Sequence, residues 1–268
     1  MTRKKLGIDA GGSLIKIVIE EGGRFHYKWY PIGQLKQSAA WMAIAAQGAK
    51  VSLTGGKALF IRQHYFPEAE IVPEFTAVCS GAAFLLKQSG ETALEKYLIA
   101  NIGTGTSWYL VDAQQHQRVL GSGLGGGTFM GLANLLAGQK EFSEYVTLAS
   151  SGNKGKVDLL VQDIYEEAPP IDGSLTASNF AKAAYSNGHS YRDRLAAAIN
   201  MLAENLVLLS KQTAAIHQTD DIVYIGSTLT GNQPLQAGLE LYSSMLGLHP
   251  HTLRNGEYSG ALGAILST

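Results

Sequence analysis

Acidic, basic and hydroxyl side chains recur in this sequence beside short runs of glycine. Asp9-Ala10-Gly11-Gly12-Ser13-Leu14-Ile15-Lys16 sets a carboxylate before a glycine pair and an amine after it. Asn101-Ile102-Gly103-Thr104-Gly105-Thr106-Ser107 repeats the theme with an amide side chain. Gly121-Ser122-Gly123-Leu124-Gly125-Gly126-Gly127-Thr128 is a third cluster, and Ile225-Gly226-Ser227 a fourth. Backbone amides of such turns converge on anions, because no side chain blocks the approach of phosphate oxygens. A glycine cluster that opens a helix adds the positive end of the helix dipole. Four such turns placed after strands suggest a nucleotide held between two lobes.

Other phosphate and nucleophile signatures are absent or poor. No G-x-x-x-x-G-K-[ST] and no G-x-S-x-G occur. Gly121, Gly123 and Gly126 match the letters of G-x-G-x-x-G, while the frame from Gly123 ends on Thr128, and a lone match is a poor dinucleotide fingerprint. The seven histidines are scattered, and Cys79 is the only cysteine, so an intrachain disulfide and a cysteine-based zinc site are excluded. Lysine plus arginine is 21 against 22 aspartate plus glutamate, a balance that argues against nucleic-acid binding. Glycine supplies 31 of 268 residues, which is roughly 12% against about 7% in an average protein. Asp9 and Lys16 interrupt the apolar run after the basic start, and no run is long enough to span a membrane. The expected location is cytoplasmic.

These residues need elements to position them. Leu6 and Ile8 lead into the first glycine turn and residues 14–19 return from it; residues 97–100 and 108–111 flank the second in the same way. The recurrence suggests a duplicated strand–turn–strand unit. A strand near 50–53, helices near 57–65 and 76–90 (Gly90 as the stop), and a helical pattern from Phe129 to Leu136 follow. Residues 195–210 read as a core helix, 222–225 as a buried strand and 256–265 as a final helix. Residues 150–175 are polar, with Pro169-Pro170 as a breaker.

Taken in order, the first two turns, Pro73-Glu74-Phe75, Arg118-Val119, Gly125-Gly126-Gly127-Thr128, Tyr224-Ile225-Gly226-Ser227 and Asn255 to Ala264 closely resemble type II pantothenate kinases. That family lies in the actin-like, sugar-kinase-like ATPase superfamily. The resemblance implies an α/β fold of two ribonuclease-H-like lobes with mixed sheets flanked by helices and a nucleotide cleft between them. The lobes are expected at 1–98 and 99–268, with a final helix that could return to the first. It further implies ATP-dependent phosphorylation of pantothenate to 4'-phosphopantothenate, the first step of coenzyme A biosynthesis, by a homodimer. By resemblance, Asp9 organises magnesium directly or through water. Gly11, Gly12, Ser13 and Lys16 contact phosphates, as do Gly103 and Thr104. Gly126, Gly127 and Thr128 border the ribose or adenine with Ser227 nearby, and the nucleotide-side aromatic is Phe142 or Tyr145. Glu74 matches the catalytic base, ahead of Glu68 and Glu70. Thr104, Ser107 and Arg118 face pantothenate, Arg118 taking its carboxylate, and Thr176, Ala177 and Tyr242 match residues that a neighbouring subunit brings. Ser13 departs from the family's usual threonine and keeps a hydroxyl. Two alternatives stay open: another small-metabolite kinase, such as an amino-sugar kinase, and a non-enzymatic ATP switch.

Overall fold

Leu6, Ile8 and Ala10 alternate with Gly7 and Asp9, so one strand face is apolar while the other carries glycine and acid. In the computed structural model, which describes residues 4–90, 94–112, 116–186 and 188–268, this strand is β1 (Lys5–Ala10). Residues 1–3, at the head of the basic start, lie outside the described residues. β1 pairs antiparallel with β2 (Leu14–Glu21), and β2 with β3 (Arg24–Pro31). α1 (Leu35–Ala45) then leads to β4 (Lys50–Thr54), parallel to β1, and α2 (Ala58–His64) to β5 (Glu70–Ile71), giving the order β3-β2-β1-β4-β5. α3 (Glu74–Ser89) follows and stops at Gly90, whose φ of 77° is left-handed.

The second sheet repeats the plan. β6 (Tyr97–Ile102), β7 (Thr106–Val111) and β8 (His116–Ser122) form the antiparallel meander. α4 (Gly126–Ala137) and α5 (Phe142–Ser150) come next, then a short separate ladder of β9 (Leu159–Leu160) with β10 (Thr176–Ser178). α6 (Tyr191–His217) returns the chain to β11 (Asp221–Ile225), parallel to β6. α7 (Gln233–Met245), β12 (His249–Thr252) and α8 (Ser259–Leu266) complete the chain. The order is β12-β11-β6-β7-β8, which is the first sheet's succession of a meander and two parallel strands. The architecture is a two-lobed α/β fold. β3, β5, β8, β9, β10, β12, α1, α5 and α7 are elements the sequence reading did not anticipate, and the expected final helix begins as a separate turn at Gly256–Tyr258.

Sheet alternation sorts the cores. Leu6, Ile8, Ile15 and Ile17 pack with Met42, Leu53 and Ile61 under α1 and α2. Leu98, Ala100, Trp108 and Tyr224 pack beneath α4 to α7. The opposite face of the second sheet, with Tyr97, Ile99, Tyr109 and Val223, packs with Val18, Cys79, Ala82 and Leu262. Hence α3 and α8 lie between the two sheets and join them. Cys79 is buried there, and burial pushes its thiol up to about 12, so it is a packing residue and not a nucleophile. Among the described residues no helix is long and apolar enough to cross a membrane.

Candidate active site

Asp9 is the penultimate residue of β1 and Lys16 stands directly opposite it on β2, so the first hairpin itself brings acid and amine together. Lys16 Nζ lies 3.1 Å from Asp9 Oδ2, with both side chains nearly buried. Two glycines from distant parts of the chain make room for the carboxylate. A Cβ on Gly55 would stand 2.6 Å from Asp9 Oδ1, and one on Gly260, in α8, 2.7 Å from Oδ2. Thr54 pairs with Asp9 in the parallel ladder, and its buried hydroxyl has no partner among the described residues. Among the described residues there is no group of three or more histidine, cysteine or acidic side chains able to cage a metal. A single carboxylate beside an unpartnered hydroxyl suits magnesium, which keeps waters and takes its other oxygens from phosphates. The donor set therefore fits that ion.

The two glycine turns meet across the lobes: Ser13 Oγ and Thr104 Oγ1 are 2.8 Å apart. In the first turn, Gly11 N–H donates to Leu14 O at 3.0 Å. In the second, Gly103 N–H donates to Gly105 O at 2.9 Å. Among the described residues no protein acceptor takes the N–H of Gly12, Ser13, Thr104 or Gly105. Four unused donors on two touching turns, with Lys16 behind them, make an anion cradle. Gly126 and Gly127 serve differently, because their N–H groups donate to Gly103 O (2.8 Å) and Thr104 O (2.9 Å). The start of α4 thus braces the second turn, helped by Thr228 Oγ1, which donates to Gly103 O at 2.8 Å. Thr128 Oγ1 donates to Gly123 O and closes its own loop. Gly126 and Gly127 can border a ligand by their surface alone. Ser227 is half-buried at the turn after β11, beside Thr228.

Pro73 fixes the entry to α3 and places Glu74 as its first helical residue. The side chain is exposed to the cleft, yet loss of surrounding water raises its pKa above the ordinary carboxylate value. Asp9 raises it further, while Lys16 and Arg118 oppose the shift. Glu74 therefore feels the acid and amine of one lobe and the arginine of the other. Its competitors do not share that setting: Glu70 pairs with Lys50 at 3.1 Å, and Glu68 is a surface residue. Arg118 Nε donates to Ser107 Oγ at 3.3 Å, and among the described residues no carboxylate pairs with its guanidinium. Tyr109, which the sequence reading missed, is buried beneath them. Burial and the Glu74 charge push its hydroxyl up to about 12, and a hydrogen bond with Ser107 opposes this.

The cleft thus combines an anion cradle, a carboxylate of raised pKa and a guanidinium held by Ser107. The Fumble family model matches residues 36–267. A type II pantothenate kinase from Oceanobacillus iheyensis is 36% identical over 266 residues, covering 99% of this chain and 100% of the relative. The chain belongs to the Fumble family of type II pantothenate kinases. Among solved structures, the activator of 2-hydroxyisocaproyl-CoA dehydratase from Clostridium difficile, with bound ADPNP, has a TM-score of 0.65 at 16% identity, covering 98% of this chain and 93% of that one. A ROK family glucokinase from Streptomyces griseus, in complex with glucose and AMPPNP, has a TM-score of 0.61 at 13% identity, covering 99% of each chain. At these identities the likeness is one of fold.

The remaining expected residues lie elsewhere in this pantothenate kinase family member. Phe142 opens α5 half-buried, with its ring centre 5.9 Å from that of Phe129 in edge contact. Tyr145 is fully buried, and its hydroxyl donates to Gly138 O and accepts from Lys140 N–H. Of the two aromatics only Phe142 has surface to offer. Thr176, Ala177 and Tyr242 belong to a cluster on the α6–α7 side. Lys154 Nζ donates to Tyr242 Oη (2.8 Å), Asn200 Oδ1 (3.0 Å) and Thr176 Oγ1 (3.3 Å) there, while Ala177 is exposed in β10. That side covers the opposite face of the second sheet from Tyr109, Glu74's neighbour. The chain does not bring these three residues to its own Glu74.

Asp158 anchors the same loop: Oδ1 accepts Phe180 N–H at 2.8 Å, Oδ2 has no partner among the described residues, and burial pushes its pKa up to about 6. A carboxyl whose pKa is higher folded than unfolded binds protons more tightly in the folded state, so it costs stability as pH rises between the two values. Asp158→Asn should therefore gain on the wild type by on the order of 2 kcal/mol between pH 4 and pH 7. Urea unfolding across that range checks this. A pH-independent difference would show that Asp158 titrates normally.

Proposed function

We propose that the chain transfers the γ-phosphoryl group of ATP to the primary alcohol of pantothenate, giving 4'-phosphopantothenate, the first step of coenzyme A biosynthesis. The observation that carries this reading is the meeting of the two glycine turns at Ser13 and Thr104, with Glu74 in the field of Asp9, Lys16 and Arg118. Family membership at 36% identity over nearly the whole chain supports the substrate, and the adenine nucleotide analogues in similarly folded proteins support ATP. The N–H groups of Gly12, Ser13, Thr104 and Gly105 hold phosphate oxygens, with Lys16 as a point charge. Asp9 holds magnesium directly or through water, and the bound ion neutralises charge on the phosphates. As the new O–P bond forms and the bond from the γ-phosphorus to the departing ADP breaks, the alcohol loses its proton, and the Glu74 carboxylate orients the hydroxyl and accepts that proton. Arg118, seated by Ser107, takes the pantothenate carboxylate through its fork.

Phe142, with Gly126, Gly127, Thr128 and Ser227, borders the nucleoside. Thr176, Ala177 and Tyr242 reach substrate only from a second copy, so the working form is a homodimer, and the expected location is the cytoplasm. The test of the acceptor is Arg118→Ala. Its KM for pantothenate should rise by about tenfold to a hundredfold, the worth of a charge-assisted pair, while the KM for ATP stays put. Loss of ATP affinity with an unchanged pantothenate KM would move Arg118 to the nucleotide.

A further inference from the structure

β8 reaches Arg118 through a shift in register. Ser107 pairs with Gly121 and Trp108 with Leu120, but Tyr109 pairs with Arg118, which leaves Val119 as the extra residue of a bulge. In an unbroken ladder residues 121, 119 and 117 would share one face and Arg118 would point to the other. The bulge turns Arg118 onto the face of Ser107, Tyr109 and Gly121. There the guanidinium lies across Gly121: a Cβ on Gly121 would stand 2.9 Å from Arg118 Cζ and overlap Nη2. The backbone does not require glycine here, because Gly121 is not among the positive-φ residues. Gly105 and Gly125 differ, since a Cβ on either would meet backbone carbonyls, of Ser122 and Gly103, at 2.8 Å. At Gly121 the space is taken only by the end of one side chain.

We propose that Gly121 is a positioning residue whose missing side chain seats the Arg118 guanidinium, and that this seat sets the enzyme's preference for an anionic acceptor over a neutral one. The inference rests on the reading of Arg118 as the carboxylate-binding residue. A long side chain with many rotamers binds an acid well only when it is held beforehand. Here the strand twist at the bulge, the Ser107 hydroxyl and the bare Gly121 backbone hold it.

The experiment is steady-state kinetics of Gly121→Ala, Arg118→Ala and the double variant, with pantothenate and with its neutral analogue pantothenyl alcohol. Gly121→Ala should raise the KM for pantothenate about tenfold or more. The KM for ATP and the constants for the neutral alcohol should stay within about twofold. Because Gly121 acts through Arg118, the double variant should be no worse than Arg118→Ala alone. Equal losses for acid and neutral acceptors, an unchanged pantothenate KM, or additive losses in the double variant overturn the seat. If Arg118→Ala itself fails to separate acid from neutral acceptor, the Arg118 reading falls instead. Should Gly121→Ala not fold, the double variant, which removes the overlap, should fold; an unfolded double variant assigns Gly121 to the strand and overturns the proposal.

Discussion

Glu74→Gln should lower kcat by about two to four orders of magnitude, the usual worth of a positioned general base, with the KM for ATP little changed. Glutamine keeps the shape and can still orient a hydroxyl, but it cannot take the proton. The environment adds a second signature. The pKa of Glu74 is raised by burial and by Asp9, so the acid limb of the wild-type rate profile should lie above the ordinary carboxylate range. Since the folded-state pKa is the higher one, ionisation of the side chain costs stability as pH rises from the unfolded value to the folded one, and in full above it. Glu74→Gln should then unfold at the same or a higher temperature than wild type at neutral pH, while losing turnover. Rates at saturating substrates and a thermal melt on one preparation check both. Unchanged turnover would remove Glu74 from the base role, and a lowered melting temperature would mean that its environment stabilises the charge.

The largest stability loss should come from the crossing of α3 and α8, the two helices between the sheets. A Cβ on Gly263 would overlap the Ala77 carbonyl oxygen, and one on Gly81 would overlap that of Ser259. Each obstacle is a helix backbone that cannot rotate aside, unlike the side chain over Gly121. Alanine has the better helix propensity by about 1 kcal/mol, yet overpacking a close crossing costs about 1–3 kcal/mol or more. With Gly263→Ala and Gly81→Ala combined, we expect a net loss of roughly 3 kcal/mol, or a fall in melting temperature of about 6–12 °C. Chemical denaturation of the double variant measures it. Wild-type stability would show that the helices can separate without cost. Gly260 is on the same helix beside Asp9, so loosening the crossing should also lower activity.

The parts of this site that were legible in the sequence are local. Glycine pairs between alternating strands announce both hairpins, and a hairpin register puts Lys16 opposite Asp9 without reference to the rest of the fold. The helix after Pro73 was likewise legible from its own pattern, although that pattern put its start two residues late. What stayed hidden depends on tertiary contacts. Nothing local marks the bulge that turns Arg118 toward Tyr109, because a bulge is a mismatch between two strands and not a property of one. Gly55 and Gly260 gain meaning only when both lie against one carboxylate. Gly126 and Gly127 read as ligand-facing amides, and the fold turns their N–H groups to the second turn's carbonyls instead. β3 and α1 were passed over because charged and aromatic residues mix within 24–31 and the apolar stripe of 35–45 is weak. The order of Tyr145 and Phe142 was decided only by burial.

The central claim is that this cleft phosphorylates the primary alcohol of pantothenate. The most direct measurement is mass spectrometry of the products when the enzyme, ATP and magnesium are given pantothenate together with a panel of sugars. One phosphoryl group is expected on pantothenate, stoichiometric with ADP and lost in Glu74→Gln. Phosphate on a sugar, or ADP accumulating with no phosphorylated acceptor, would contradict it.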